Sequence, residues 1–160
     1  MKIIFIGKPG AGKTTLFSRL TKRKTYSRPK DEASITSDYQ TGVFERDGTT
    51  FFPVDTVGIV DARAVREGSA LLKAADLVFV ICDPMDFNAV DDEIIKEARK
   101  FSRKLWIVAN KTESEEAEEA AEELYRYGIP VYSISALHKQ GVDDLLDAAR
   151  EQLSLPAAPH

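Results

Sequence analysis

A chain of 160 residues with 43% hydrophobic and 30% charged residues suits one soluble globular domain of ordinary size. No segment approaches the roughly eighteen apolar residues of a membrane span, and the first apolar run is too short for a secretory signal, so we expect a cytoplasmic protein. A net charge of −4 argues against a protein that coats nucleic acid by charge alone, and the single cysteine, Cys82, excludes an internal disulfide.

The first predicted elements are a strand, a glycine-rich loop and a helix. Residues 2–6 form an apolar run typical of a buried strand, and residues 14–22 carry apolar side chains at helical spacing. The residues from Gly7 to Thr14 fit G-x-x-x-x-G-K-[ST], the loop whose backbone amides cradle nucleotide phosphates. In such a loop Lys13 provides a cation for the β- and γ-phosphates, and the Thr14 hydroxyl is available to Mg²⁺. The alternative is a glycine-rich turn that binds no ligand.

A basic segment and a hairpin follow the first helix. Residues 19–30 contain six basic side chains, which indicates either an RNA-binding patch or a solvated helix end. Residues 31–40 are polar and lack a clear period, so we expect a loop there. Residues 41–46 and 50–55 are predicted to be two strands joined by an Asp-Gly turn. Two adjacent antiparallel strands fit the edge of an otherwise parallel sheet.

Strands and helices alternate through the rest of the chain. After a loop at residues 59–67, strands are predicted at residues 77–82, 104–109 and 130–134, and helices at residues 68–75, 89–102, 115–127 and 142–153. This alternation predicts a three-layer α/β/α fold with a six-stranded, mostly parallel sheet and one antiparallel edge strand. We assign residues 1–153 to one domain and residues 154–160 to a flexible tail or linker.

Three further motifs follow predicted strands. They are Asp55-Thr56-Val57-Gly58, Asn110-Lys111-Thr112-Glu113 and Ser135-Ala136-Leu137. Because ligands bind beyond the carboxyl ends of the strands in such sheets, these motifs and the phosphate loop should face one site.

In this order the four motifs resemble those of the translation-factor-related (TRAFAC) GTPases, over nearly the whole chain. Within that class the chain is most similar to the Era/EngA (Der)-like group, and in particular to the first G domain of its tandem members. The features behind the narrower likeness are Gly7-Lys8-Pro9, Thr36-Ser37-Asp38 and the run from Ile107 to Glu113.

The resemblance implies a P-loop G domain that binds GTP and GDP, uses Mg²⁺ and hydrolyses GTP. The implied catalytic residues are Lys13, Thr36 and Gly58, and the implied metal ligands are Thr14, Thr36 and, through water, Asp55. The implied nucleotide-binding residues are Gly7, Pro9, Gly10, Ala11, Gly12, Lys13, Thr14, Thr15, Asp55, Gly58, Asn110, Lys111, Glu113, Ser135, Ala136 and Leu137. Thr41 is a rival to Thr36 as a ligand, although the spacing to Asp55 favours Thr36.

Base selection is expected in the motif that contains Asn110, Lys111 and Glu113. A carboxylate can accept two hydrogen bonds from the N1 and N2 donors of guanine, whereas adenine presents no such pair. The chain departs from the family pattern because Glu113 stands where Asp is usual. The extra methylene moves the carboxylate by about one bond length, which should weaken guanine binding without reversing the preference. The Ala136 amide is expected to meet the guanine O6.

Two departures affect the expected catalysis. Ile59 stands where many relatives have a glutamine that orients the attacking water, so we expect slow hydrolysis. Gly10 stands where several relatives have an asparagine that helps hold an activating potassium ion, so potassium activation is not expected from that position.

We therefore expect a slow, Mg²⁺-dependent GTPase switch of ribosome biogenesis. Its expected partner is a ribosomal subunit or RNA, reached through a longer parent protein with further domains, and no membrane span is expected. Three alternatives stay open. One is a stand-alone relative in iron uptake or ethanolamine use, and another is a non-hydrolysing nucleotide-binding module, which Ile59 and Glu113 motivate. The third is a phosphate-loop kinase, for which Arg99 and Arg103 lie on a predicted helix and make a poor lid.

Overall fold

The computed structural model describes residues 1–21, 24–27 and 39–154, whose strands form one sheet. Within these ranges there are eight strands: β1 (Lys2–Ile6), β2 (Lys24–Ser27), β3 (Tyr39–Gly42), β4 (Phe44–Arg46), β5 (Thr49–Thr56), β6 (Leu77–Cys82), β7 (Leu105–Ala109) and β8 (Val131–Ser133). The order is β2-β3-β5-β1-β6-β7-β8, and β4 also pairs with β5. The central pairs are parallel, whereas β2, β3 and β4 form antiparallel pairs at one edge.

Helices cover both faces of the sheet. The α-helices of the described ranges are α1 (Lys13–Leu20), α2 (Ala62–Glu67), α3 (Ser69–Ala74), α4 (Ala89–Ala98), α5 (Glu115–Glu122) and α6 (Val142–Ser154). The core on one face includes apolar residues of α1 and α6, and the core on the other includes residues of α2, α3, α4 and α5. The three-layer α/β/α prediction is therefore confirmed.

Strand β6 shows why the middle of the sheet is so apolar. All six of its residues are buried, because both faces of this central strand are covered. Val78 and Val80 belong to one core, whereas Phe79 and Ile81 belong to the other. Phe79 stacks with Trp106 at a ring distance of 5.9 Å, which makes Trp106 a core residue as its position in a buried strand predicts.

The edge strands differ from their prediction. The described residues form eight strands where the sequence predicts six, because Lys24–Ser27 pairs with Tyr39–Gly42 and the predicted strand at 41–46 divides at Val43. Lys24–Ser27 lies in the basic segment, where the sequence lacks the alternation of apolar and polar residues that would predict a strand. The rest of that segment falls largely outside the described residues.

Helix boundaries also differ from their prediction. The predicted loop at 59–67 contains α2, because the Asp61 carboxylate caps its first turn by accepting a hydrogen bond of 2.8 Å from the Ala64 amide. The helix that begins at Ala89 ends at Ala98 instead of Ser102, and the last predicted turns before Gly128 form a 3₁₀ helix, Glu123–Tyr127. Residues 155–160 of the predicted tail lie outside the described ranges. None of the helices in the described ranges is both long enough and apolar enough to cross a membrane.

Candidate functional site

Three of the four motifs meet in a cleft at the carboxyl ends of the parallel strands. The loop at residues 7–12 leaves β1 and enters α1, Asp55 lies near the end of β5, and Asn110 follows β7. The cleft has a volume of about 380 Å³. It is lined by Lys8, Pro9, Gly10, Ala11, Gly12, Lys13, Thr14, Thr15, Val57, Val60 and Lys111.

Asn110 forms hydrogen bonds with both the phosphate loop and the loop that follows β8. Its Nδ2 donates to the Ala11 carbonyl oxygen at 2.8 Å, and its Oδ1 accepts a hydrogen bond of 2.9 Å from the Ala136 amide. The side chain is buried, and a Cβ at Gly12 would overlap its amide group. Gly12 also has a φ of 101°, in the left-handed region that favours glycine. These contacts fix the shape of the loop before any ligand arrives.

Lys13 and Asp55 are two buried charged groups of opposite sign beside the loop, and their charges influence each other. The Lys13 ammonium donates to the Gly7 carbonyl oxygen, and Lys13 is only 8% exposed. Burial lowers the pKa of Lys13, and the charge of Asp55 opposes that change. Burial likewise raises the pKa of the Asp55 carboxyl, although the Thr14 hydrogen bond and the Lys13 charge oppose the rise. Both groups therefore carry a desolvation cost that an anionic or cationic ligand would relieve.

The oxygen atoms at this point fit a divalent cation. The Thr14 hydroxyl lies 3.0 Å from Asp55 Oδ2, and Asp55 Oδ1 is buried without a hydrogen-bond partner among the described residues. Hydroxyl and carboxylate oxygens are ligands that Mg²⁺ prefers, directly or through water. Thr36, the other predicted ligand, lies outside the described residues. Its rival Thr41 is opposite Val54 and so on the other face of the sheet from Asp55.

The residues after Asp55 divide between the cleft and the core. Val57 is 54% exposed and lines the cleft with Val60. Ile59 is buried in the core, and its carbonyl oxygen accepts a hydrogen bond of 3.3 Å from the Gly7 amide. The Ile59 side chain is therefore directed away from the cleft, where it cannot orient a water molecule. Gly58 lies between these two residues, and its predicted contact with a phosphate stays a prediction.

A second cleft continues from the first and shares Gly12, Thr15 and Lys111 with it. Its volume is about 440 Å³, and its other lining residues are Asn110, Glu113, Leu137 and His138. Ser135 donates a hydrogen bond to Glu113 Oε1, and this bond lowers the pKa of the Glu113 carboxyl. Glu113 is thus an ionised acceptor at neutral pH.

The two clefts differ in what they can bind. The first combines a buried cation, the uncapped N-terminus of α1 and a rigid glycine-rich loop, which suits phosphate groups. The second places an ionised carboxylate beside exposed apolar surface, since Leu137 is 61% exposed, which suits a flat base with hydrogen-bond donors. The Ala136 amide, predicted to meet the base, donates to Asn110 here, so that role stays a prediction.

Two polar residues at the site are absent from the sequence-based prediction. Lys8 lines the first cleft and forms ion pairs with Asp86 and Asp91. Gln40 lies opposite Asp55 on β3, and its Oε1 is another buried oxygen without a hydrogen-bond partner among the described residues. In the sequence, only the positive charge of Lys8 within the phosphate-loop motif could have indicated its place at the site. Gln40 is identified only by the strand register, which places it opposite Asp55.

Comparison with protein families gives one match, which covers residues 2–111 and is described as a 50S ribosome-binding GTPase. GTPase Der of Stenotrophomonas maltophilia (strain R551-3) is 32% identical over 94% of this chain and 34% of its own length. GTPase Der of Syntrophotalea carbinolica is 32% identical over 97% of this chain and 37% of its own length. The chain thus spans about a third of the length of these relatives.

Solved structures that superpose on this chain include a G domain and a translation elongation factor. The G domain of the T. maritima FeoB iron transporter superposes with a TM-score of 0.76 at 24% identity, covering 96% of this chain and 99% of that one. Translation elongation factor SelB from Methanococcus maripaludis, in complex with a GTP analogue, gives a TM-score of 0.75 at 19% identity. It covers 99% of this chain and 35% of that one. At these identities the likeness concerns the fold alone.

Proposed function

The chain belongs to the family of 50S ribosome-binding GTPases, and from that premise we propose that it is a slow, Mg²⁺-dependent GTPase switch domain. The observation that carries the proposal is the continuous two-part cleft, with Lys13 at one end and the Glu113 carboxylate at the other. One end matches the charge of a triphosphate, and the other matches the donors on the edge of guanine. A kinase finds no support, because the family and its Der-like relatives are GTPases.

At the phosphate end the chain's own groups would bind and orient GTP. Lys13 and the loop amides would hold the β- and γ-phosphates, and the Gly58 amide would contact the γ-phosphate. Mg²⁺, held by the Thr14 hydroxyl, Thr36 and the water-linked Asp55, would neutralise phosphate charge when bound. Because Ile59 is turned into the core, no side chain at that position orients the attacking water, and slow hydrolysis follows.

Phosphate release from GTP tests the enzymatic part of this proposal. We expect slow phosphate release that requires Mg²⁺ and stops when EDTA is added. The release should continue linearly over hours, at a rate proportional to the protein concentration. Replacement of Lys13 by alanine should abolish the release, which excludes a contaminating phosphatase as its source. Tight GTP binding with no release above that of Lys13→Ala would instead support the non-hydrolysing binding module.

The Glu113→Asp variant tests base recognition. It should bind GDP equally well or up to about tenfold more tightly, because the shorter side chain is the usual partner of guanine in this family and one better hydrogen bond is worth about 1 kcal/mol. Isothermal titration with GDP measures the change, and Glu119→Asp, on the exposed face of α5, is the matched control. A large loss of affinity in Glu113→Asp alone would mean that this carboxylate does not contact guanine in the family manner.

The wider role that we propose is a part in ribosome biogenesis within a longer, Der-like protein. The family description and the Der relatives support it. Such a role places the protein in the cytoplasm, with a ribosomal subunit or RNA as partner. Residues 1–153 would be the G domain, and residues 154–160 would link it to the further domains of the longer protein.

A further inference from the structure

Lys8 is the one lysine of the phosphate loop that the motif does not require. Its side chain is 13% exposed, and its Nζ lies 2.9 Å from Asp91 Oδ2 and 3.3 Å from Asp86 Oδ2. It also donates to the Asp86 carbonyl oxygen. Burial opposes the charge of Lys8, but the hydrogen bonds and charges of Asp91 and Asp86 raise the pKa of the ammonium above its ordinary value. Lys8 is therefore a charged group held in one place.

Asp91 is the more deeply buried partner. Its side chain is 2% exposed, and its Oδ2 also accepts a hydrogen bond of 2.9 Å from the Asn88 amide. Asp91 thus completes the capping box at the start of α4 while it pairs with Lys8. A carboxylate this deeply buried needs its cation, because removing one partner of a buried pair leaves an uncompensated charge.

The pair connects the phosphate loop to the first turn of α4. Lys111 connects the loop to the segment that precedes α4, since its Nζ donates to the Gly10 carbonyl oxygen at 2.8 Å and lies 3.7 Å from Asp83 Oδ2. The Lys8 connection is the more buried of the two, because the Lys111 side chain is 48% exposed. The buried pair therefore opposes movement of the start of the loop away from α4.

We propose that Lys8 and Asp91 are a positioning pair that holds the phosphate loop in its nucleotide-binding shape and slows the release of bound nucleotide. The inference rests on the proposed function, because it needs a nucleotide in the cleft. Neither side chain has to touch the nucleotide. The pair acts by keeping the loop amides in place, so that no ordering of the loop is required on binding.

The test is the rate at which a fluorescent GDP analogue leaves the full chain when excess GDP is added. The double variant Lys8→Met, Asp91→Asn removes the pair without leaving a buried charge, and Asn can still accept from the Asn88 amide. We expect it to unfold near the wild-type temperature but to release the analogue about tenfold faster. Lys8→Arg, which keeps the cation, should release it within about threefold of the wild-type rate.

The pair Lys96 and Asp92 on α4 is the control, with an exposed lysine and a half-buried aspartate whose charged atoms lie 3.0 Å apart. Lys96→Met, Asp92→Asn keeps an acceptor for the Tyr127 hydroxyl at position 92 and should leave the release rate unchanged. The inference is overturned if the Lys8 and Asp91 double variant folds and releases the analogue within about twofold of the wild-type rate, or if the control pair accelerates release equally. Wild-type protein that holds no analogue would overturn the proposed function as well, so the two failures are distinguishable.

Discussion

Replacing Lys13 with alanine should weaken GTP and GDP binding by about 10- to 150-fold. The Lys13 ammonium is buried beneath the phosphate loop, where a hydrogen bond to a charged group is worth about 1.5–3 kcal/mol, and each 1.4 kcal/mol is about tenfold in affinity. Because burial already lowers the pKa of Lys13, an anionic ligand gains more from this cation than from one in water. Isothermal titration of nucleotide-free protein measures the loss.

Lys104→Ala is the control for this variant. Lys104 is exposed and precedes β7, at the opposite end of the sheet from the cleft. It should bind GTP as the wild type does, which shows that the loss is not a general effect of net charge on a polyanion. Unchanged affinity in Lys13→Ala would contradict the assignment of the phosphate loop itself.

The Asp55→Asn variant should be more stable than the wild type without nucleotide, yet bind GTP with little dependence on Mg²⁺. Burial raises the pKa of Asp55 in the folded chain despite the Thr14 hydrogen bond and the Lys13 charge, so the carboxylate destabilises the fold when ionised. Removing that charge should be worth about 1 kcal/mol, or about 2–4 °C in Tm. The gain in GTP affinity that Mg²⁺ gives the wild type should fall by about tenfold or more.

The pH dependence of the stability gained by Asp55→Asn distinguishes the desolvation of this carboxylate from a general effect of net charge. A carboxyl with a raised pKa in the folded state costs stability above that pKa, and the cost disappears as the pH falls through it. The stability advantage of Asp55→Asn should therefore be full at neutral pH and shrink in acid. Asp76→Asn, at the other end of the sheet, should show no gain. An Asp55→Asn variant that is less stable at neutral pH would show that the pair with Lys13 stabilises the empty fold.

The phosphate loop and much of the cleft were predictable because their motifs are local. Gly7 to Thr14 carries the turn, the cation and the hydroxyl within one loop. The Asp-Gly hairpin signal predicts the strand that carries Asp55, and an apolar run predicts the strand before Asn110. Burial on both faces makes β1, β6 and β7 almost entirely apolar, and their short length indicates strands.

The supporting contacts were not predictable, because they depend on which elements become neighbours. Lys8 meets Asp91 only because β6 lies beside β1 and delivers α4 to the loop. Asn110 bridges two loops through the same sheet order. Strand β2 and helix α2 were not predicted because both are short. Strand β2 is stabilised by its pairing with β3, and helix α2 by the cap at its first turn.

The most direct test of the central claim is calorimetric titration of nucleotide-free protein with GDP and then with ADP, in Mg²⁺. A site that offers the Glu113 carboxylate to guanine leaves that acceptor without its donors when adenine is bound. We expect micromolar or tighter GDP binding, with ADP weaker by about 100-fold or more. Equal or tighter binding of ADP would contradict the assignment of the second cleft to guanine and, with it, the account of this chain as a GTPase.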